Sequence, residues 1–151
     1  MTKSKLLGGV AALATIAIVA SGIGVAQDAI SQRKAIMKSV GASTKTGSQM
    51  AKGEVPFDAA KASEAMGTIA TGWAEFAKHF PKGSETGGET TVSPKVWESF
   101  ADFDEKGKKF ASDAAAAQKA TANGADAFKA SSGEVTKNCQ DCHDVYRIPK
   151  K

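Results

Sequence analysis

The sequence of 151 residues predicts an all-α protein, an antiparallel four-helix bundle. The first observation is that, in successive segments of the chain, apolar residues recur at alternating steps of three and four residues, as they do in helices that pack in a bundle. The second is that proline and glycine separate these segments by short breaks, with one longer break at residues 82–92. The third is that no segment alternates apolar and polar residues as a half-buried strand does. The length fits a single domain.

The N-terminal segment predicts an export signal. Lys3 and Lys5 supply positive charge, and Leu6–Val25 is uncharged and rich in small and aliphatic residues. Small residues end this run at the positions that a signal peptidase reads. We therefore predict that residues 1–26 are a cleaved signal and that residues 27–151 are the mature, periplasmic protein. The uncharged run is also about long enough to span a bilayer, so an uncleaved membrane anchor is the alternative.

The first predicted helix runs from Asp28 to about Lys52. One face of it carries Ile30, Arg33, Met37, Val40 and Thr44. Two glycines lie inside the segment, Gly41 and Gly47, and we expect the helix to bend or fray there because glycine has a low helix propensity. The helix is predicted to stop near Gly53.

The second predicted helix begins after Asp58, whose carboxylate is a suitable N-cap. Its apolar face is formed by Ala62, Met66, Ile69, Trp73, Phe76 and Phe80. Pro81 is predicted to end it, because proline cannot continue the ladder of backbone hydrogen bonds. Residues 82–92 follow and are rich in glycine, serine, threonine and charge, so we expect a loop or mobile crossover.

The third predicted helix begins at Ser93–Pro94, with serine as N-cap and proline at the first helical position. Its inner face carries Val96, Phe100, Phe103, Gly107, Phe110, Ala114 and Ala117. Asn123–Gly124 is predicted to close it. The fourth helix is predicted from about Ala125 to Arg147, with Gly133 as a weak point. One face of it carries Phe128, Val135, Cys139, Cys142 and Tyr146.

The last helix contains a C-x-x-C-H run at Cys139, Cys142 and His143, which is the pattern of a c-type haem attachment site. In a helix the two cysteines lie on one face, where their thiols can form thioethers with the two vinyl groups of one haem. His143 lies on the same face and can ligate the iron. The chain has two cysteines, so this site uses both. We therefore predict one covalently attached haem c.

A redox disulfide and a zinc site are other uses of a C-x-x-C pair. A thioredoxin-like disulfide needs a βαβ setting, which no strand pattern supports here. A zinc site needs further cysteines or histidines nearby, and the other histidine, His79, lies far upstream. Export favours haem, because thioether attachment of haem c takes place outside the cytoplasm.

The charge of the predicted mature chain is close to balanced. The whole chain has 20 basic and 16 acidic residues, and removal of Lys3 and Lys5 leaves a net charge of +2, which two haem propionates would cancel. No stripe of lysine and arginine with interleaved aromatic residues is present. We therefore expect no binding to nucleic acid.

Three stretches, one of which contains the haem motif, are similar to one known family. Cys139–Arg147 ends in an aromatic residue and arginine, Arg33–Lys38 holds an Arg-x-x-x-Met arrangement, and the loop from Phe80 to Trp97 joins the second and third helices. The chain resembles the class II c-type cytochromes, the family of cytochrome c′ and its low-spin relatives, over nearly the whole mature length.

The resemblance implies where side chains stand around the haem. It implies that the haem lies between the helices of the bundle, with His143 as axial ligand and Met37 on the other side of the iron. It also implies that Arg33 lies near a propionate and that Arg147 lies near the axial histidine.

Met37 separates the functions that the resemblance implies. A Met37 thioether bound as sixth ligand stabilises ferrous iron. Our main expectation is this case, a one-electron carrier that serves periplasmic or membrane redox proteins. The alternative is that Met37 only packs, so that the iron is five-coordinate and binds nitric oxide or carbon monoxide. The resemblance associates the carrier with a monomer and the gas-binding form with a homodimer.

We do not expect an enzyme, because no distal pair of histidine and arginine for acid–base chemistry is visible. Met50 and Met66 are expected to pack in the core. His79 is expected at the surface. Trp73 and Trp97 are expected to pack in the core or beside the haem.

Overall fold

The computed structural model describes residues 19–149, with side chains from residue 24 onward. In chain order the elements of this part are α1 (Val19–Ala51), α2 (Ala59–Phe76), α3 (Lys95–Glu98), α4 (Phe100–Ala120), a 3-10 turn (Thr121–Asn123) and α5 (Ala125–Tyr146). The four long helices contact one another in the order α1–α2, α2–α4, α4–α5 and α5–α1. This closed ring of contacts is a four-helix bundle, so the predicted all-α fold is confirmed.

The first helix is longer than predicted and unbroken. It begins at Val19, before the predicted start, and continues through Gly41 and Gly47, where we expected it to bend or fray. Gly47 faces α2, and a Cβ atom at this position would lie 2.6 Å from Cε of Met66, so that this terminal methyl group would have to move. Tertiary packing outweighs the low helix propensity of glycine here. Residues 1–18, most of the predicted signal, lie outside the described residues.

The second helix begins as predicted and ends early. The Asp58 carboxylate accepts a hydrogen bond of 3.0 Å from the backbone N–H of Lys61 and is the N-cap. The helix ends at Phe76 and not at Pro81. The reason is that two following N–H groups bond carbonyls three residues back, which tightens the chain into turns. Phe80 therefore lies outside the helix, although it still packs against the aromatic core of the bundle.

The third predicted helix is in fact two helices. The first of them begins at Lys95 with Pro94 as the N-cap residue, one residue later than predicted, and the Ser93 hydroxyl accepts a hydrogen bond of 3.3 Å from the backbone N–H of Lys95. Ser99, with φ of −136° and ψ of 48°, separates α3 from α4. In α3, Val96 is fully buried and the Trp97 indole donates a 3.1 Å hydrogen bond to the carbonyl of Phe80.

Residues 82–92 form the predicted loop, and its far end is joined to the end of α5. Val92 and Arg147 form an isolated antiparallel bridge, flanked by two backbone hydrogen bonds of 2.9 and 2.7 Å. α5 ends at Tyr146, within one residue of the prediction, and Gly133 does not interrupt it.

The core has two clusters. One is mostly aliphatic and includes Met50 and Met66, which confirms that both methionines pack in the core. The other, called the aromatic cluster below, consists of Trp73, Phe76, Val96, Phe103 and Tyr146. In the described part of the chain, no helix is long and apolar enough to cross a membrane.

Candidate functional site

A cavity of about 740 Å³ lies between α1, α2, α4 and α5. Cofactor sites in proteins have volumes in this range. Much of its wall is aromatic, formed by Trp73, Phe76, Phe80, Phe103, Phe110 and Tyr146. The cavity is therefore suited to a flat apolar group, and its polar residues decide which group it holds.

The last helix brings both cysteines to this cavity. Cys139 and Cys142 line it, are half-buried and are not bridged to each other. The Cys139 thiol donates a hydrogen bond of 3.4 Å to the carbonyl of Val135, one turn back. Burial raises the pKa of the Cys139 thiol, and burial together with the neighbouring Cys139 raises the pKa of Cys142 to about 11. Both are thus neutral thiols at pH 7, on the inward face that the sequence predicted.

His143 lines the same cavity. Desolvation lowers the pKa of its imidazole, and the positive charge of Arg147 lowers it further. The ring is therefore mostly neutral at pH 7 and has a free lone pair, which is the form that ligates metals. Arg147 also lines the cavity, and its backbone N–H donates a 3.1 Å hydrogen bond to the carbonyl of His143.

Met37 lines the cavity from α1. It is half-buried and packs against the aromatic cluster. Of the described residues around the cavity, Met37 has the only thioether and His143 the only imidazole. The structure thus brings four of the predicted site residues together: Met37, Cys139, Cys142 and His143.

Arg33, the fifth predicted site residue, does not line the cavity. Its side chain is 2% exposed and donates hydrogen bonds to the carbonyl of Ser84 (2.8 Å), the hydroxyl of Ser84 (3.0 Å) and the carbonyl of His79 (3.0 Å). The guanidinium also lies over the rings of Phe80 and Trp97, 4.9 and 5.5 Å from their centroids. Arg33 therefore joins the start of the crossover loop to α1. Its buried Nε has no hydrogen-bond partner among the described residues.

The other residues that the sequence analysis named are packing or surface residues. His79 is not part of the cavity wall, and its Nε2 lies 3.2 Å from the carboxylate of Glu75. Trp73 is buried and donates its indole N–H to Asp104 at 3.2 Å. Within residues 19–149, no three histidine, cysteine, aspartate or glutamate side chains form a group that could hold a metal ion. The zinc alternative therefore has no structural support.

Three lysines belong to the cavity wall although the sequence analysis gave them no role there, and Tyr146 lies in the wall as its place on the cysteine face predicted. Lys34, Lys38 and Lys106 are the lysines. Their helical spacing was visible, but lysines on a helix are usually solvated, so spacing alone did not indicate a place in the cavity wall.

The Tyr146 hydroxyl donates a 2.5 Å hydrogen bond to Asp102. Desolvation, followed by this bond, raises the pKa of Tyr146 to about 12.

The family model described as Cytochrome C′ matches residues 28–147. The chain belongs to the cytochrome c′ family. Among curated proteins, the cytochrome c′ of Rhodopseudomonas palustris is 42% identical over 142 residues, which are 93% of this chain and 97% of that protein. A cytochrome c-556 of Agrobacterium fabrum is 35% identical over 121 residues, which are 80% of this chain and 82% of that protein.

Solved structures of cytochromes c′ have the same fold. The Rhodopseudomonas palustris cytochrome c′ structure has a TM-score of 0.75 and 41% identity, and the match covers 82% of this chain and 98% of that one. A nitric oxide complex of a variant of cytochrome c prime from Alcaligenes xylosoxidans has a TM-score of 0.74 and 27% identity, with coverage of 83% and 97%.

Family and cavity agree on the cofactor. Members of the cytochrome c′ family carry one covalent haem c, and this chain carries one on the two cysteines of its C-x-x-C-H run. The residues of the cavity fit a covalently attached haem, because two adjacent thiols, a neutral imidazole and an aromatic wall line one cavity. The positive charges of Lys34, Lys38, Lys106 and Arg147 suit the two propionates. The family's proteins are periplasmic redox proteins, often dimeric, that carry electrons or bind gases.

Proposed function

We propose that the haem iron of this chain is five-coordinate and binds nitric oxide or carbon monoxide. Cys139 and Cys142 would hold the haem by thioether bonds, and His143 would ligate its iron. The bound haem supplies an iron that exchanges one electron and takes a diatomic ligand. This function is the alternative of the sequence analysis, and it now stands ahead of the electron carrier with Met37 as ligand.

The observation that carries this proposal is the similarity to a cytochrome c′, 42% identical over nearly the full length of both chains. The nitric oxide complex of the Alcaligenes xylosoxidans variant supports it, because that protein has the same fold. The contacts of Met37 are compatible with it. Its side chain packs against the aromatic cluster, so a role in the cavity wall accounts for its position without a bond to iron.

The second candidate is the electron carrier, in which Met37 is the sixth ligand. One observation favours it: Met37 is the single thioether on the described cavity wall. A methionine ligand would close the iron to gases and raise its reduction potential.

Variants of Met37 distinguish the two candidates. The measurement is carbon monoxide binding to the ferrous holoprotein, followed by absorption, in the wild type, in Met37→Leu and in Met66→Leu as the matched control. Met66 is a buried core methionine that does not line the cavity. We expect all three proteins to be high-spin and to bind carbon monoxide. A wild type that is low-spin and closed to carbon monoxide, beside a Met37→Leu variant that is high-spin and open, would establish the carrier instead.

We also propose that residues 1–26 are removed on export and that the mature protein acts in the periplasm, with redox proteins as partners and without enzymatic turnover. The intact mass of the purified protein tests cleavage, because a chain that keeps its first residues would be heavier by the whole signal. The position of Arg33 near a haem propionate stays a prediction from the resemblance, because its side chain does not line the cavity and its hydrogen bonds go to His79 and Ser84.

A further inference from the structure

Tyr146 has surroundings that the proposed function does not use. It is the single tyrosine of the chain. It lines the haem cavity and is 5% exposed. Its hydroxyl donates a hydrogen bond of 2.5 Å to Oδ2 of Asp102 on α4. Tyr146 thus both lines the cofactor cavity and is hydrogen-bonded to a carboxylate.

Asp102 is well placed to take the phenolic proton out of the site. The two oxygens are close enough for direct transfer. The Asp102 side chain is 55% exposed, and Nζ of Lys106 lies 3.9 Å from its Oδ1. This exposure lets a proton that arrives at Oδ2 pass on to water.

A proton acceptor matters because oxidation of a phenol makes it a strong acid. If electron and proton leave together, no charged radical has to form in an apolar cavity, where an unpaired charge is costly. Trp73 provides the comparison. It also lines the cavity and donates to a carboxylate, Asp104, at 3.2 Å. An indole, however, can lose an electron and keep its proton, so its oxidation depends less on the acceptor.

We propose that Tyr146 and Asp102 form a redox-active pair, which gives one electron to a strong one-electron oxidant that enters the haem cavity, such as the nitrogen dioxide radical, which is thereby reduced to nitrite. In this step the electron passes to the oxidant, the O–H bond of Tyr146 breaks and the proton moves to Oδ2 of Asp102. A neutral tyrosyl radical and a protonated carboxyl group remain. The pair removes an oxidising equivalent from a cavity that also contains the oxidisable side chains of Met37 and Trp73. It acts in this way whether or not iron has a sixth ligand.

The test uses the ferric holoprotein and photogenerated tris(bipyridine)ruthenium(III), a one-electron oxidant, with a cobalt(III) complex as the terminal acceptor. Samples are frozen after illumination, and the radical is identified by electron paramagnetic resonance. Since the chain has one tyrosine, a tyrosyl signal belongs to Tyr146. We expect this signal in the wild type, its loss in Tyr146→Phe and a several-fold lower yield in Asp102→Asn. Asp104→Asn is the matched control and is expected to leave the tyrosyl yield unchanged.

Two results would overturn the proposal. One is a wild type that yields only tryptophanyl radical, and the other is an Asp102→Asn variant with the wild-type tyrosyl yield. The haem spectrum of each variant reports whether it has folded. If Asp102→Asn does not fold, the rate of tyrosyl formation in the wild type is compared in H2O and D2O. Slower formation in D2O supports coupled loss of the proton, and equal rates contradict it.

Discussion

At the scale of single residues, the aromatic wall depends on a position without a side chain. A Cβ atom at Gly107 would lie 1.9 Å from Cε2 of Trp73, so the indole occupies the space that any larger residue would need. Trp73 in turn contacts Phe76 and Phe103, with ring centroids 5.7 and 5.0 Å apart. Gly107 therefore lets α4 approach α2 closely enough for the indole to form part of the cavity wall.

Replacement of Gly107 by alanine tests this dependence. We expect Gly107→Ala to lower the free energy of unfolding by about 1–3 kcal/mol, because the ring has to move within a packed core. Gly133→Ala is the control, since a Cβ atom there meets nothing within 4 Å, and it should raise stability by up to ~1 kcal/mol through helix propensity. Urea unfolding of the holoproteins measures both. A Gly107→Ala variant as stable as Gly133→Ala would contradict this view of the wall.

At the scale of elements, the crossover loop is held at both ends and becomes one side of the cavity. Arg33 fixes its start through three hydrogen bonds to residues 79–84, and the bridge between Val92 and Arg147 fixes its end. Between these points, Glu89 lines the cavity and pairs with Lys34 at 3.3 Å. A loop anchored in this way positions part of the cavity wall.

Exchange of backbone amide hydrogens in residues 82–92 tests the anchor. We expect faster exchange in Arg33→Lys, because lysine lacks the planar fork that donates to two oxygens at once and the buried carbonyl of Ser84 would lose its partner. Lys34→Gln is the control: its ion pair with Glu89 is exposed, and such pairs contribute little. Equal exchange rates of the amides of residues 82–92 in Arg33→Lys and in the wild type would show that Arg33 does not anchor the crossover loop.

The sequence predicted those features that depend on local spacing. The faces of the long helices, the cap at Asp58 and the inward position of the cysteines on α5 all followed from periodicity and residue type. The break at Ser99 did not, because the apolar steps continue across it. The contacts of Arg33 could not be predicted either, since they join residues that are far apart in the chain and depend on how the loop folds back on α1.

At the scale of the whole molecule, the bundle brings distant segments of the chain to one cavity. α5 contributes the two thiols and His143, α1 contributes Met37, and α2 and α4 contribute aromatic walls. This arrangement agrees with membership of the cytochrome c′ family and with one covalent haem c. The proposed function then depends on an iron that His143 would ligate and that a gas could reach.

The most direct test of this claim is the absorption spectrum of the purified holoprotein, oxidised and reduced, before and after addition of carbon monoxide. The account predicts high-spin spectra and a clear shift of the ferrous spectrum when carbon monoxide binds. A low-spin spectrum with a methionine–iron charge-transfer band and no response to carbon monoxide would contradict it. That result would make Met37 the sixth ligand and the protein an electron carrier.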